Sequence, residues 1–235
     1  MRSGLGYSLA LLVAALALAL GFVSGQWVVA AIVLGAALAL ALGVFVESGP
    51  DSAKQVALIA TLTGIAVAGR LLVHPFPGVQ PMTVIVIASG AAFGLRIGIS
   101  VGALGALVSN FFLIQGPWTP WQMALWALCG AVGALAAGLA HRRLLFALLC
   151  AVLAFGFSTA MDVAYWWYAY AHTWAGLTVQ VTSGFAFTLA HALGSFAIAL
   201  AVGPDLVRML ERFGRRLHTE IVWSEPVPSA EEVGG

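Results

Sequence analysis

Long apolar stretches, each close to the length of a membrane-spanning helix, dominate this sequence. A helix needs about 20 mostly apolar residues to cross the hydrocarbon core of a bilayer. Of the 235 residues, 62% are hydrophobic and only 8% are charged. Soluble domains carry about 25% charged residues, and a water-soluble fold could not cover its surface with so few. The sequence therefore predicts an all-α integral membrane protein.

Polar or proline- and glycine-containing breaks divide the apolar sequence into eight predicted segments. The clearest breaks are residues 47–51, 74–78 and 116–120, where glycine and proline punctuate helices. The fourth segment is short, ~21 Å at 1.5 Å per residue. We expect that it does not cross the bilayer alone or is packed away from lipid. The segments cover residues 5–24, 27–46, 54–73, 81–94, 97–114, 119–140, 144–170 and 180–203.

The positions of lysine and arginine predict the orientation in the membrane. With Arg2 inside and alternating spans, only one of the 10 basic residues, Arg70, lies in the outer half. Cytoplasmic loops are enriched in basic residues, and the opposite orientation would put nearly all of them outside. We therefore expect a multi-pass protein of the cell (inner) membrane of a prokaryote, with cytoplasmic N- and C-termini.

Three parts are expected along the chain. Residues 1–48 form two N-terminal transmembrane helices, although residues 1–24 are also compatible with a signal peptide. Residues 49–204 form a six-helix membrane core. After Pro204, apolar residues recur at helical spacing between arginines, which is typical of an amphipathic helix on the cytoplasmic interface. Residues 205–235 therefore comprise that helix and a disordered tail.

Four polar groups on four different predicted helices lie at membrane depth. Ionisable side chains there are costly and are functional candidates by default. The helical rise places Arg70, Asn110 and Asp162 in the outer half and His191 near mid-membrane. They predict a polar binding pocket near the outer surface. The alternatives are a structural ion pair between Arg70 and Asp162, and a helix–helix hydrogen bond for His191.

The loop that precedes the sixth segment is rigid and aromatic. It holds Gln115, Trp118 and Trp121 among two prolines, and Trp166 lies at the same level. Such a loop suits a lid over a planar organic ligand. The alternative for the tryptophans is an ordinary interfacial aromatic belt.

Small residues form a smooth stripe on the third segment. Ala60, Gly64 and Ala68 recur every four residues, which lets another helix approach closely. The stripe serves either internal packing or docking of a separate membrane subunit. The glycines at 90, 94, 98 and 102 predict a tight hairpin of the fourth and fifth segments, and those at 130, 133 and 138 thin the sixth.

Motifs for several other functions are absent from the sequence. No Walker A, dinucleotide or HExxH motif occurs, so the chain is not expected to bind and hydrolyse ATP or to be an enzyme. Cys129 and Cys150 lie in apolar runs without metal or redox spacing, so no metal and no cofactor are expected. The net charge of +1 gives no indication of nucleic-acid binding.

The stretch from Lys54 to Gly203 resembles the substrate-binding S-component of energy-coupling factor (ECF) vitamin transporters, of the actinobacterial type. The resemblance rests on Lys54 with the small-residue stripe, the proline-led short helix 81–94, and the block from Ser109-Asn110-Phe111-Phe112 to Trp121-Gln122. It implies a six-helix core whose stripe faces a membrane coupling subunit, with two separate ATPase subunits. The two helices of residues 1–48 depart from that pattern.

The resemblance implies a binding subunit that captures a small organic nutrient at the outer face. Arg70 and Asp162 would fix polar groups of the ligand, and the aromatic loop would cover it. A cobalamin-related vitamin is the first choice, and riboflavin or a thiamin precursor is the next. The alternatives are a membrane enzyme acting on a lipid or lipid-linked substrate, with Asp162 and His191 as acid and base, or a structural subunit. The ligand contacts would come from Arg70, Asn110, Gln115, Trp118, Trp121, Asp162, Trp166 and His191.

Overall fold

A computed structural model describes residues 9, 12–17, 19–20, 23–26, 29–30, 32–34, 36–37, 52–169 and 172–217. Between residues 52 and 217 six α-helices follow one another, with a short 3-10 helix, Ala137–Leu139, after the fourth. For the described part of the chain, the predicted all-α class is confirmed. The helices are α1 Ser52–Leu72, α2 Pro81–Phe93, α3 Leu95–Leu113, α4 Trp118–Leu135, α5 Arg143–Ala169 and α6 Trp174–Leu217.

Four of these helices, α1, α3, α5 and α6, are long and apolar enough to span a membrane. Helix α2 is apolar but has only 13 residues. The fold is therefore that of an all-α membrane protein, while the predicted eight spans and the side of the termini stay predictions. Somewhat under half of the predicted segment 5–24 and most of the predicted segment 27–46 lie outside the described residues.

Helix α2 lies inside the bundle. Pro81 begins it, which suits a first-turn position where no amide donor is needed. Most of the helix is buried, including Met82, Val84 and Ile87. A helix too short to cross a bilayer alone is thus covered by protein, as the sequence predicts for this segment.

Glycines bring α2, α3 and α4 into close contact. A Cβ atom on Gly90 or Gly98 would overlap the main chain of Gly130 in α4, and one on Gly102 would overlap that of Trp126. The chain turns from α2 into α3 at Gly94, whose φ of 86° is strained for any side chain with a Cβ. These glycines serve internal packing, as predicted, and the contact extends to α4.

Helix α6 is longer than the sequence predicts at both ends. It begins at Trp174, and it runs through Pro204 to Leu217 instead of giving way to a separate amphipathic helix. Its last turns pack on the bundle, where Gly214 lies against the ring of Phe93 and Glu211 pairs with His141 at 3.2 Å. These contacts hold residues 205–217 as part of the same helix.

The predicted stripe lies on the outside of α1. Ala60, Gly64 and Ala68 are all exposed, and a Cβ atom on Gly64 would meet no atom within 4 Å. Internal packing within the described chain therefore does not explain the stripe. Large apolar side chains are also exposed on α5 and α6, which suits a lipid-facing surface. They include Leu148, Val152, Phe185 and Leu193.

Candidate functional site: two adjoining cavities

Two cavities lie side by side where the ends of α1, α3, α5 and α6 meet the loop before α2 and the start of α4. The Asp162 cavity has a volume of about 330 Å³, and the Arg70 cavity has a volume of about 520 Å³. Both are in the range of sites for small organic ligands. The two cavities share four wall residues: Gln80, Trp118, Gln122 and Phe187.

Arg70 is buried in the wall of the Arg70 cavity, with 9% of its surface exposed. Its Nη1 donates to Asn110 Oδ1 at 3.0 Å and to Ser109 Oγ. Its guanidinium lies 4.7 Å above the ring centroid of Trp126, in cation–π geometry. These contacts fix the guanidinium plane, so the position of this charge is determined before any ligand binds.

Asp162 lies in the wall of the other cavity and is not paired with Arg70. Its Oδ1 accepts a hydrogen bond of 3.0 Å from Gln180 Nε2. It packs against Gly184, where any Cβ atom would collide with both carboxylate oxygens. The ion pair that the sequence left open as an alternative is therefore absent, and each charge lies at its own cavity.

Aromatic side chains form much of the Asp162 cavity. Tyr165 and Tyr168 from α5 and Phe187 from α6 line it together with Trp118. The rings of Tyr165 and Tyr168 pack edge-to-face, with centroids 5.2 Å apart. A single carboxylate inside an aromatic wall can bind flat groups that carry N–H donors or positive charge.

The loop before α4 and the start of α4 are held by side-chain hydrogen bonds to α3. Asn110 Nδ2 donates to Thr119 Oγ1 at 3.0 Å and to Gln122 Oε1 at 2.8 Å. Gln115 is buried, and its Nε2 donates to the carbonyl of Leu107 at 2.9 Å while its Oε1 accepts from Thr119. Gln115 thus lines neither cavity and positions the loop. Asn110 lines the Arg70 cavity and also anchors the start of α4.

The three tryptophans predicted to contact a ligand occupy different places. Trp118 lines both cavities, and its Nε1 donates to the carbonyl of Ile114 at 3.3 Å. Trp121 is 40% exposed and lines neither cavity. Trp166 packs edge-to-face on Trp167 and His172 and also lines neither. The geometry therefore assigns the stacking position to Trp118.

His191 is fully buried within a chain of hydrogen bonds and lines neither cavity. Trp126 Nε1 donates to Thr83 Oγ1 at 3.0 Å, and Thr83 Oγ1 lies 2.8 Å from His191 Nε2. On the other side of the ring, Nδ1 lies 2.8 Å from Ser158 Oγ, and Ser158 lines the Asp162 cavity. This network thus connects the core to that cavity. His191 therefore does not contact a ligand in either cavity, and the alternative of a helix–helix hydrogen bond describes its place.

Proton counting assigns the tautomer of His191. The Thr83 hydroxyl oxygen already accepts a hydrogen bond from Trp126 Nε1. Among the described contacts of Thr83, only His191 Nε2 can accept the hydroxyl proton. The ring proton therefore sits on Nδ1 and is donated to Ser158. In this arrangement His191 is not a base for Ser158, and Ser158 keeps its own proton to donate toward the cavity. Asp162 and His191 do not face one cavity together, so they do not form an acid–base pair there.

Several cavity residues escaped the sequence analysis. Gln80 and Phe187 lie in the wall that both cavities share, and Gln180 orients Asp162. The available signal was the amide side chains of Gln80 and Gln180, which are rare polar groups beside or inside apolar helices. Among the described residues, no group of three His, Cys, Asp or Glu side chains could hold a metal ion.

Comparison with known proteins gives a family without an assigned activity. A model of a family of unknown function, DUF6580, matches residues 50–208, which is more than half of the chain and includes both cavities. No curated protein and no solved structure matches the chain. The chain therefore belongs to the DUF6580 family.

Proposed function

We propose that the protein is the substrate-binding membrane subunit of an ECF-type ATP-driven importer and captures a small organic nutrient, such as a vitamin, at the outer face. The observation that carries the proposal is the position of Trp118. Its indole belongs to both cavities, whose other walls present the buried Arg70 and the carboxylate of Asp162. A flat molecule held on this indole would meet fixed polar groups on both sides.

The exterior of the described helices fits such a subunit. Exposed apolar side chains suit movement within lipid, and the smooth stripe of Ala60, Gly64 and Ala68 offers close contact to another helix. In the proposed assembly the stripe docks on a membrane coupling subunit, and two ATPase subunits supply the energy. Tight packing is the main source of helix association inside a bilayer, so an exposed small-residue stripe suits a partner helix.

The cavity volumes refine the choice of nutrient. Cavities of about 330 Å³ and 520 Å³ suit a molecule of ordinary drug size. A cobalamin-related ligand is much larger, so we favour a nutrient of the size of riboflavin or a thiamin precursor. The buried guanidinium and the aromatic walls give such a molecule polar and stacking contacts.

Native mass spectrometry of the full chain, purified in detergent from cells grown in rich medium, tests the proposal. We expect a vitamin-sized species at near one-to-one occupancy. Trp118→Ala should lose this species, because the shared wall is removed. Trp121→Ala should retain it, because that indole lines neither cavity. Bound lipid alone, even after the growth medium is supplemented with vitamins, would show that the protein is not a binding subunit.

A further inference from the structure

The electrostatics of the two cavities indicate the chemical class of the ligand. We infer that the ligand is bipolar, with an anionic group (carboxylate or phosphate) at Arg70 and N–H donors at Asp162, joined by a flat middle part on Trp118. This inference rests on the proposed binding function. It goes beyond that function because it commits to both ends of the molecule.

The first step concerns the unused donors of Arg70. Both of its hydrogen bonds come from Nη1, so Nε and Nη2 have no hydrogen-bond partner among the described residues. No carboxylate in the described helices pairs with this guanidinium, although only 9% of its surface is exposed. A buried guanidinium without a counter-ion is costly, and its remaining edge fits a carboxylate or phosphate with two parallel hydrogen bonds. The Arg70 cavity therefore fits an anionic group.

The second step concerns Asp162. The carboxylate is hydrogen-bonded by the side chains of Gln180 and Thr188 and has no cationic partner in the described part of the chain. Its remaining lone pairs can accept hydrogen bonds, and aromatic rings line the cavity around it. An amine, guanidine or aminopyrimidine-like group would meet these requirements. A second anionic group at this position would be repelled.

The third step concerns polar atoms that have no partner where the cavities meet. Gln80 Oε1 is buried without a hydrogen bond, and Gln80 lines both cavities. The hydroxyl of Tyr168, in the Asp162 cavity, is also buried without a partner. Buried polar atoms are rarely left unpaired, so these two are explained by a ligand with N–H and acceptor groups along its length. Gln80 adds a recognition position between the two ends of a bipolar molecule, and Tyr168 adds one in the Asp162 cavity.

Three probes built on one benzene ring test the inference in the full chain. 4-Guanidinobenzoate has both ends, benzoate has the acid alone, and phenylguanidine has the N–H donors alone. An equimolar mixture of the three is added to detergent-purified protein, and the bound species are counted by native mass spectrometry. We expect 4-guanidinobenzoate to be preferred by about tenfold or more over either single-ended probe, as expected for an added charge-assisted pair. Equal binding of the three probes, or binding of none, would overturn the inference.

Variants assign each end of the probe to its residue. In Arg70→Met, 4-guanidinobenzoate should bind no better than phenylguanidine, because the partner of its acid group is lost. In Asp162→Asn, it should bind no better than benzoate, because the partner of its guanidino group is lost. Arg142→Met removes an exposed arginine far from both cavities and should leave the preference unchanged. If Arg70→Met does not fold, the Asp162→Asn variant and the competition on the wild-type protein still test whether the ligand is bipolar. A copurified vitamin-sized species together with failure of the probes would leave the binding function standing and disprove the bipolar ligand.

Discussion

Arg143 donates a hydrogen bond from Nη1 to the main-chain carbonyl of Leu200 at 2.8 Å. In an α-helix this carbonyl would accept the amide of residue 204, but that residue is Pro204, which has no amide hydrogen. The same Nη1 also donates to the carbonyl of Ala201 at 2.9 Å, and Nη2 contacts Asp205 at 2.8 Å. The first residue of α5 thus supplies the donor that α6 lacks, which explains how α6 continues through a proline.

The contribution of this contact can be measured by a double-mutant cycle. Arg143→Gln should lower the free energy of unfolding by about 1 kcal/mol, because it removes hydrogen bonds from a half-exposed cation. The thermal midpoint in detergent should fall by about 2–4 °C. Arg142→Gln, at the neighbouring exposed arginine, should have little effect.

The cycle is completed with Pro204→Ala, which restores an amide donor for the carbonyl of Leu200. In that background Arg143→Gln should lower the thermal midpoint less than in the wild type, since the carbonyl no longer depends on the guanidinium. Equal losses in the two backgrounds would show that Arg143 acts elsewhere, for example through Asp205.

The buried network around His191 predicts a larger effect. Thr83→Val removes the acceptor of Trp126 Nε1 and the donor to His191 Nε2 together. Each buried polar atom left without a partner costs about 1–3 kcal/mol, so the free energy of unfolding should fall by at least about 2 kcal/mol. The control is Thr182→Val, because this exposed threonine bonds only main-chain carbonyls of its own helix. A loss in the control as large as that in Thr83→Val would argue against the network.

Sequence reasoning located the helices and the polar level of the site, because hydrophobic runs and rare buried charges are local signals. It could not tell Trp118 from Trp121, which are three residues apart at the start of α4. Which of the two faces the cavities depends on how α4 packs, and that is a tertiary property. Pro204 was misread for the same reason, since proline ordinarily breaks a helix and the donor that rescues it comes from α5. Likewise, the role of Gln115 depends on its bond to Leu107 and not on its place in the loop.

The exposed stripe on α1 predicts a partner contact that is independent of ligand binding. Gly64→Leu should leave folding and ligand occupancy unchanged, because nothing in the described chain lies within 4 Å of a Cβ atom there. It should reduce copurification of the proposed coupling and ATPase subunits, because a bulky side chain keeps a partner helix away. The matched control is Gly156→Leu, another exposed helical glycine with open space around it. The docking role would be disproved by equal copurification of both variants with these subunits.

Gly184 lines the Asp162 cavity, and its contact with Asp162 allows the carboxylate to be moved without replacing the aspartate itself. A Cβ atom at residue 184 would overlap both carboxylate oxygens, so Gly184→Ala should push the Asp162 side chain away and break its hydrogen bond to Gln180. The atoms that must move are the end of a side chain and not main chain, so the thermal midpoint should change little. Occupancy by the copurified species in native mass spectrometry should fall clearly, whereas Gly156→Ala, with open space at its Cβ, should retain it. Undiminished occupancy in Gly184→Ala would mean that the position of the Asp162 carboxylate is not set for ligand recognition. A fall in thermal midpoint as large as that of Thr83→Val would mean that Gly184 is needed for packing of α5 on α6.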